Sequence, residues 1–144
     1  MTFHGPLVVS YVDGRQWRVV EGFTYHRSRA GVPWDERVEI PVGLLTDFAS
    51  VPRVLKLRWP SPGGAWDKPA VVHDYLYRRG VLETRTGLDA LVTRAEADRI
   101  FLEAMAAAGV GWLSRRLLYW GVRVGGGPVW AAARRRQARR AAHD

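Results

Sequence analysis

Residues 93–109, TRAEADRIFLEAMAAAG, carry the clearest helix signal in the chain. Thr93 and Glu96 have the spacing of a capping box, in which the two side chains accept hydrogen bonds from backbone N–H groups at the start of a helix. Apolar residues then recur at helical spacing: Ala97, Ile100, Phe101, Ala104, Met105 and Ala108. Gly109 is the residue type that most often follows a helix end. The stretch therefore predicts an amphipathic helix that packs by one face against the rest of the protein.

The chain on either side of this helix predicts further helices. Upstream, Asp67 is a good N-cap residue and Gly80 is a typical stop, so we expect a helix from Asp67 to about Arg79. Downstream, helical spacing continues over Trp112–Val124. Pro128 begins a C-terminal helix, because proline is favoured in the first turn.

The first fifty residues have the pattern of β-strands and turns. Leu7–Val12 is apolar and β-branched, Asp13-Gly14 is a strong hairpin signal, and Gln16–Thr24 resumes the strand pattern. Arg37–Pro41 alternates apolar and charged residues, as a half-buried strand does. We expect these strands to pair as an antiparallel sheet. The predicted fold class is therefore α+β, a single domain with an N-terminal antiparallel β-sheet followed by three to four α-helices.

Length and composition limit the class of protein. The 144 residues fit one domain, with a β-rich part (1–50), a helical part that holds the candidate site (51–127) and a basic C-terminal helix or tail (128–144). Hydrophobic residues make up 47% of the chain and there are seven Trp, which excludes a disordered or fibrous protein. Because the chain has no Cys, disulfides, thiolate zinc sites and cysteine nucleophiles are also excluded.

Two features bear on secretion and membranes. The first ten residues lack the basic flank and the long apolar run of a signal peptide, so we expect no secretion by that route. The longest apolar run, residues 104–113, is ten residues long. A bilayer-spanning helix needs roughly 20, so no transmembrane segment is expected.

The formal net charge is +8, from 22 Lys and Arg against 14 Asp and Glu. Such an excess predicts attraction to nucleic acid, an anionic lipid surface or another polyanion. Residues 131–144 alone carry five Arg and one acid, so we expect this tail to face solvent or a polyanionic partner. The arginines predicted to bind it are Arg116, Arg123, Arg134, Arg135, Arg136, Arg139 and Arg140.

The predicted helix at Trp112–Val124 has two adjacent faces. The first is basic and aromatic, with Trp112, Arg116, Tyr119 and Arg123; the second is apolar, with Leu113, Leu117, Trp120 and Val124. Such a helix suits an anionic bilayer surface and suits a protein or nucleic-acid partner equally well. The alternative is a core helix whose Arg side chains extend to water.

A first polar cluster, residues 46–53, lies between a strand and a proline. It holds an acid, two hydroxyls and a cation, at Asp47, Thr46, Ser50 and Arg53. One interpretation is a loop whose side chains bond its own backbone. The other is a buried network with Thr46, Ser50 and Arg53 as structural members, in which Arg53 pairs with an aspartate at position 47, 74 or 98.

A second cluster joins two helices. His73 and Tyr77 share one face of the first helix, and Asp98 lies beside the apolar stripe of the next. If the helices pack antiparallel, Asp98 can accept a hydrogen bond from His73, while the other ring nitrogen takes a proton from water. Asp74 points about 100° away on a helix that turns once every 3.6 residues, so it is excluded from this pair. As an oxygen ligand it could hold Ca²⁺ together with backbone carbonyls of a glycine-rich loop.

Three stretches together resemble a phage and prophage family called domain of unknown function 1353. They are the run from Ile40 to Arg53 with its TDFASVPR element, then HDYLYR at 73–78, then EAD at 96–98. The resemblance covers roughly residues 38–124. It implies a phage or prophage protein made in the host cytoplasm, either free or associated with the virion and other phage proteins. The family has, by its own title, no established activity.

The helix pair also resembles phospholipase A2, particularly the compact form in parvovirus capsids. The matching segments are His73-Asp74-x-x-Tyr77 and Ala97-Asp98-x-x-Phe101. This resemblance implies a calcium-dependent lipid-ester hydrolase with His73 as general base, Asp98 as its partner, Tyr77 as a supporting hydrogen-bond donor and Asp74 as calcium ligand. Gly63, Gly64 and Asp47 are the further candidates for the calcium site.

The sequence leaves three functions open. The first is a lipid-ester hydrolase that acts through the His/Asp pair and Ca²⁺. The second is a non-enzymatic phage virion or assembly component, in which the same polar residues form a structural network. The third is a nucleic-acid-binding protein that uses its Arg-rich C-terminus.

Overall fold

The computed structural model describes residues 1–14, 16–28, 36–47, 63–84 and 86–143. The strands in these ranges are β1 (Thr2–His4), β2 (Val8–Asp13), β3 (Gln16–Glu21), β4 (Phe23–Arg27), β5 (Glu36–Ile40), β6 (Leu45–Thr46), β7 (Val81–Thr84) and β8 (Asp89–Leu91). The helices are α1 (Asp67–Arg79), α2 (Arg94–Ala107), α3 (Trp112–Gly125) and α4 (Gly127–Ala141). The predicted α+β class is confirmed.

The strands form two antiparallel sheets. The larger has the order β1-β4-β5-β7-β8, and the smaller has the order β2-β3-β6. The predicted hairpin at Asp13-Gly14 is present, with Asp13 opposite Gln16 in the β2–β3 pair. In β4 every second residue is buried, so Phe23 and Tyr25 face the core as the period-two pattern of a half-buried strand requires.

The connection between α1 and α2 is itself structured. It contains the β7–β8 hairpin, in which Val81 lies opposite Leu91, and β7 pairs with β5 to extend the larger sheet. Pairing satisfies the backbone groups of a segment that buries Leu82. The larger sheet therefore also includes a hairpin from the helical part of the chain.

Local signals place the helix ends. The Thr93 hydroxyl accepts a hydrogen bond from the backbone N–H of Glu96 at 3.2 Å, as the capping box predicts. Gly80 ends α1 with φ +67°, in the left-handed region that favours glycine. The start of α1 differs from the prediction, because Trp66 is the N-cap and Asp67 is the first helical residue.

Two apolar clusters hold the elements together. The larger joins α1 and α2 to the sheets, and the smaller joins α2 to α3 through Phe101, Met105, Leu118 and Val122. Helix α4 packs on α1, where the Trp130 ring meets the Tyr77 ring edge-on at 5.3 Å. Among the described residues, no helix combines the length and the apolar character that a bilayer-spanning segment requires.

Candidate functional site

His73 and Asp98 meet in the contact between α1 and α2. His73 Nε2 lies 2.8 Å from Asp98 Oδ1, so the predicted hydrogen bond is present. The side chain of His73 is 2% exposed and that of Asp98 is 0% exposed. Asp98 is therefore inside the helix contact rather than at its edge. The imidazole lies between the rings of Tyr77 and Phe101, with centroid distances of 4.2 and 4.7 Å.

Asp98 accepts two further hydrogen bonds. The Tyr77 hydroxyl donates to Oδ1 at 2.6 Å, and Arg123 Nη1 of α3 donates to Oδ2 at 2.8 Å. Burial opposes ionisation of Asp98, but the hydrogen bonds from His73, Tyr77 and Arg123 outweigh it and hold the pKa of this carboxyl below its usual value. Burial and the bond to Asp98 raise the pKa of Tyr77, so its hydroxyl keeps its proton. Asp98 is thus a buried carboxylate with three donors.

The sequence did not identify Arg123 as a member of this site. It was predicted to lie on a polyanion-binding face, and the cation for the aspartates was expected from Arg53, which lies outside the described residues, as does Ser50. The available signal was that a buried Asp98 requires a cation. Arg123 is fixed further by Arg94, whose Nη1 donates to the Arg123 carbonyl at 3.0 Å.

Gly126 lets the α3–α4 junction approach Tyr77 closely. A Cβ atom at this position would collide with the Tyr77 hydroxyl and with the Val122 carbonyl. Glycine is therefore required where the chain passes the hydroxyl that donates to Asp98.

Asp74 has separate partners, as its predicted angle on the helix requires. The Thr46 hydroxyl of β6 donates to Asp74 Oδ2 at 2.6 Å, and both side chains are buried. Burial, and then the negative charge of Asp47, raise the pKa of Asp74, although the Thr46 bond opposes the shift. Thr46 thus belongs to a buried network with Asp74, as the structural interpretation of residues 46–53 predicts.

The predicted calcium ligands Gly63, Gly64 and Asp74 do not come together among the described residues. The backbone N–H of Gly63 donates to the Asp67 carboxylate, and Asp67 N donates to the Gly64 carbonyl, so this turn is bound to the start of α1. Asp74 lies two helical turns further on, about 10 Å along an axis that rises 1.5 Å per residue. The described part of the chain holds no group of three or more metal-binding His, Cys, Asp or Glu. Asp47 and Asp74 remain a pair of neighbouring carboxylates, and calcium stays a prediction.

The basic tail is only partly directed to solvent. Arg134 is half-buried: its Nη2 donates to the Tyr77 carbonyl at 2.7 Å, and its guanidinium lies 4.4 Å from the centre of the Trp130 ring. Gln137 donates to the carbonyls of Arg78 and Arg79 at 2.9 Å. The end of a helix leaves its last carbonyls unpaired, and α4 supplies donors for those of α1. The predicted basic residues that are exposed are Arg116, Arg135, Arg136, Arg139 and Arg140.

A cavity of about 510 Å³ lies on another side of the molecule. Its walls include β5, the turn at 41–44 and β7, with Tyr75 and Arg79 from α1. His73 and Asp98 are not among its lining residues.

Comparison with known proteins identified one family. Residues 17–122 match the family described as "Protein of unknown function (DUF1353)". The match includes α1 and α2 with His73, Tyr77 and Asp98, and it ends one residue before Arg123. No curated protein and no solved structure matches.

Proposed function

The chain belongs to the DUF1353 family, and we propose that it is a lipid-ester hydrolase in which His73 is the general base and Asp98 positions it. The observation that carries the proposal is the 2.8 Å bond between His73 Nε2 and an aspartate whose pKa is lowered. An ionised carboxylate has no proton to donate, so the proton of this bond is on Nε2. The neutral ring then has its lone pair on Nδ1, which is the atom that acts as base.

The reaction follows from this tautomer. Nδ1 takes a proton from water while the water oxygen bonds to the ester carbonyl carbon. The ester C–O bond then breaks, and the imidazolium returns the proton to the leaving alkoxide, which gives a carboxylic acid and an alcohol. Asp98 stabilises the imidazolium that forms between these steps, and the Tyr77 hydroxyl keeps the carboxylate in place.

The lipid substrate class rests on two lines of support. The phospholipase A2 resemblance implied Asp98 as the partner of His73 and Tyr77 as a supporting hydrogen-bond donor; His73 bonds Asp98, and the Tyr77 hydroxyl donates to the same carboxylate. Helix α3, which supplies Arg123 to Asp98, also carries exposed apolar residues next to the basic Arg116. Calcium, if bound at Asp74 and Asp47, would stabilise negative charge on the substrate oxygen.

The burial of His73 favours a second function. A ring that is 2% exposed meets substrate only after neighbouring segments move. In a non-enzymatic phage virion or assembly component, the fully bonded Asp98 and the Thr46–Asp74 pair would instead specify the packing of the helices. Loss of the His73 imidazole distinguishes the two functions, because it would abolish hydrolysis in the first and would affect only the packing of the helices in the second.

The experiment measures fatty-acid release from anionic phospholipid vesicles, with and without CaCl₂. We expect His73→Gln to lower the rate by at least ~100-fold, because general-base catalysis contributes 10²–10⁴-fold. His26→Gln, a change at a half-exposed histidine of β4, is the matched control and keeps the wild-type rate. Asp74→Asn is expected to remove any stimulation by calcium.

Two results would contradict the hydrolase and favour the non-enzymatic component with a structural network. One is a wild-type protein that releases no fatty acid with Ca²⁺, Mg²⁺, Mn²⁺ or Zn²⁺. The other is a His73→Gln protein that hydrolyses as fast as the wild type.

A further inference from the structure

Helix α3 exposes its apolar stripe instead of burying it. Leu113, Leu117, Trp120 and Val124 are 63%, 47%, 61% and 85% exposed. The buried residues of α3 are Leu118 and Val122, which pack on α2 from the opposite side of the helix. A row of four large apolar side chains on one exposed helix face marks an interaction surface rather than scattered surface residues.

The charge around this stripe has one sign. Residues 112–143, which contain α3 and α4, hold eight Arg and no Asp or Glu. Residues 1–111 hold 14 basic and 13 acidic residues and the last residue, Asp144, is acidic, so these charges cancel and residues 112–143 account for the whole net charge of +8. Arg116 is exposed beside the stripe, and the exposed arginines of α4 follow it in the chain.

The positive charge around the stripe indicates which partner can cover it: a second copy of the chain, a nucleic acid or an anionic bilayer. A second copy would bring two acid-free, strongly positive segments together, and like charges across an interface oppose association. A nucleic acid would pair with the arginines but would leave the apolar stripe in water. An anionic bilayer uses both features, since lipid chains take up Leu and Trp while headgroup phosphates attract Arg.

We propose that the exposed face of α3 (Leu113, Leu117, Trp120 and Val124) is a docking surface for an anionic lipid bilayer. This inference deepens the proposed function, on which it rests for the lipid nature of the substrate. The two are linked by α3, which carries the exposed face and also holds Arg123 on Asp98. Docking would bring the bilayer to the helix that completes the candidate site. Binding can be measured without turnover, so the two proposals can fail separately.

The test is co-sedimentation of the full chain with two kinds of vesicle. One contains phosphatidylcholine alone, and the other contains in addition about 30% phosphatidylglycerol, which gives it a negative surface. The variant is Leu113→Gln/Leu117→Gln. The control is Leu88→Gln/Leu91→Gln, which changes two leucines that are 69% and 87% exposed near the β7–β8 hairpin. We expect the wild type and the control to bind anionic vesicles, and the variant to bind at least ~10-fold more weakly, since each leucine loses burial in the lipid.

Several results would overturn the docking surface. They are a wild type that does not bind the anionic vesicles, equal weakening in variant and control, or a wild-type dimer that the Leu113→Gln/Leu117→Gln change dissociates. Binding to duplex DNA that is tighter than binding to vesicles at equal salt would also overturn it, in favour of nucleic acid.

The two proposals can be told apart. If His73→Gln binds vesicles normally and the wild type shows no hydrolysis, docking stands and the proposed function fails. If the wild type hydrolyses a short-chain ester in solution but does not bind vesicles, the reverse holds.

Discussion

One carboxylate organises the candidate site. Asp98 of α2 accepts hydrogen bonds from His73 and Tyr77 of α1 and from Arg123 of α3. A buried charge is costly unless it is paired and fully bonded, and these donors meet that requirement. The same contacts that stabilise the charge also fix the imidazole, so the stability of the fold and the proposed chemistry both depend on Asp98.

The first residue-level prediction concerns the pH dependence of stability at Asp98. Its pKa is lower in the folded protein than in the unfolded chain, so the ionised group stabilises the fold above the usual aspartate pKa of about 3.9. This contribution is lost as the pH falls through the folded-state pKa. We expect Asp98→Asn to have a lower Tm than the wild type at pH 7 and a shallower loss of Tm on acidification. Thermal unfolding followed by circular dichroism between pH 7 and 3 measures both, and parallel curves for the two proteins would contradict the prediction.

Asp74 is expected to show the opposite sign. Burial and the charge of Asp47 raise its folded-state pKa, so ionisation of Asp74 costs stability as the pH rises through that pKa. Asp74→Asn removes the charge and retains an oxygen that can accept the bond from Thr46. Its Tm should exceed that of the wild type at pH 7, and the difference should shrink below about pH 4, where aspartates of the unfolded chain are protonated. A lower Tm for Asp74→Asn at pH 7, in the same unfolding measurement, would show that the charge stabilises the fold.

The helices were predictable because their signals are local. The Thr93 N-cap bond and the Gly80 stop depend on residues within one turn of the helix end, and both lie where the sequence predicted. The β7–β8 hairpin was missed because its stability depends on pairing with β5, where Glu36 lies opposite Thr84 and Arg37 opposite Glu83 although each pair is far apart in sequence. The preference of a segment for a strand depends strongly on its partners in the sheet, so a short strand that pairs with a distant segment has only a weak signal in its own sequence.

The site shows the same division. The His73–Asp98 bond could be predicted, since each side chain lies beside an apolar stripe and the two helices were expected to pack together. The place of Arg123 could not, because it depends on which face of α3 meets α2. The buried residues of α3 are Leu118 and Val122, whereas the more continuous apolar row is exposed. An apolar row along a helix therefore does not by itself reveal whether that face lies inward or outward.

Taken as a whole, the molecule uses its C-terminal helix for two different tasks. One side of α4 completes the core, with Trp130 on Tyr77 and with Arg134 and Gln137 bonded to the last carbonyls of α1. The other side holds the exposed arginines and accounts for much of the charge excess. The two sides can be changed independently, because successive residues of a helix point in different directions.

The last prediction separates these tasks with two double variants of the full chain. Arg134→Ala/Gln137→Ala removes the donors to the α1 carbonyls and should lower the Tm by several degrees, since each lost bond contributes about 1 kcal/mol. Arg135→Ala/Arg136→Ala removes two exposed charges from the same helix and should leave the Tm within about 2 °C, as surface changes do. Alanine favours helices, so neither variant should unfold α4 by itself. In the vesicle assay the order should reverse, with the stronger loss of binding in Arg135→Ala/Arg136→Ala and a steep fall of wild-type binding with salt. Equal Tm values for the two variants would show that Arg134 and Gln137 do not hold α4 on α1.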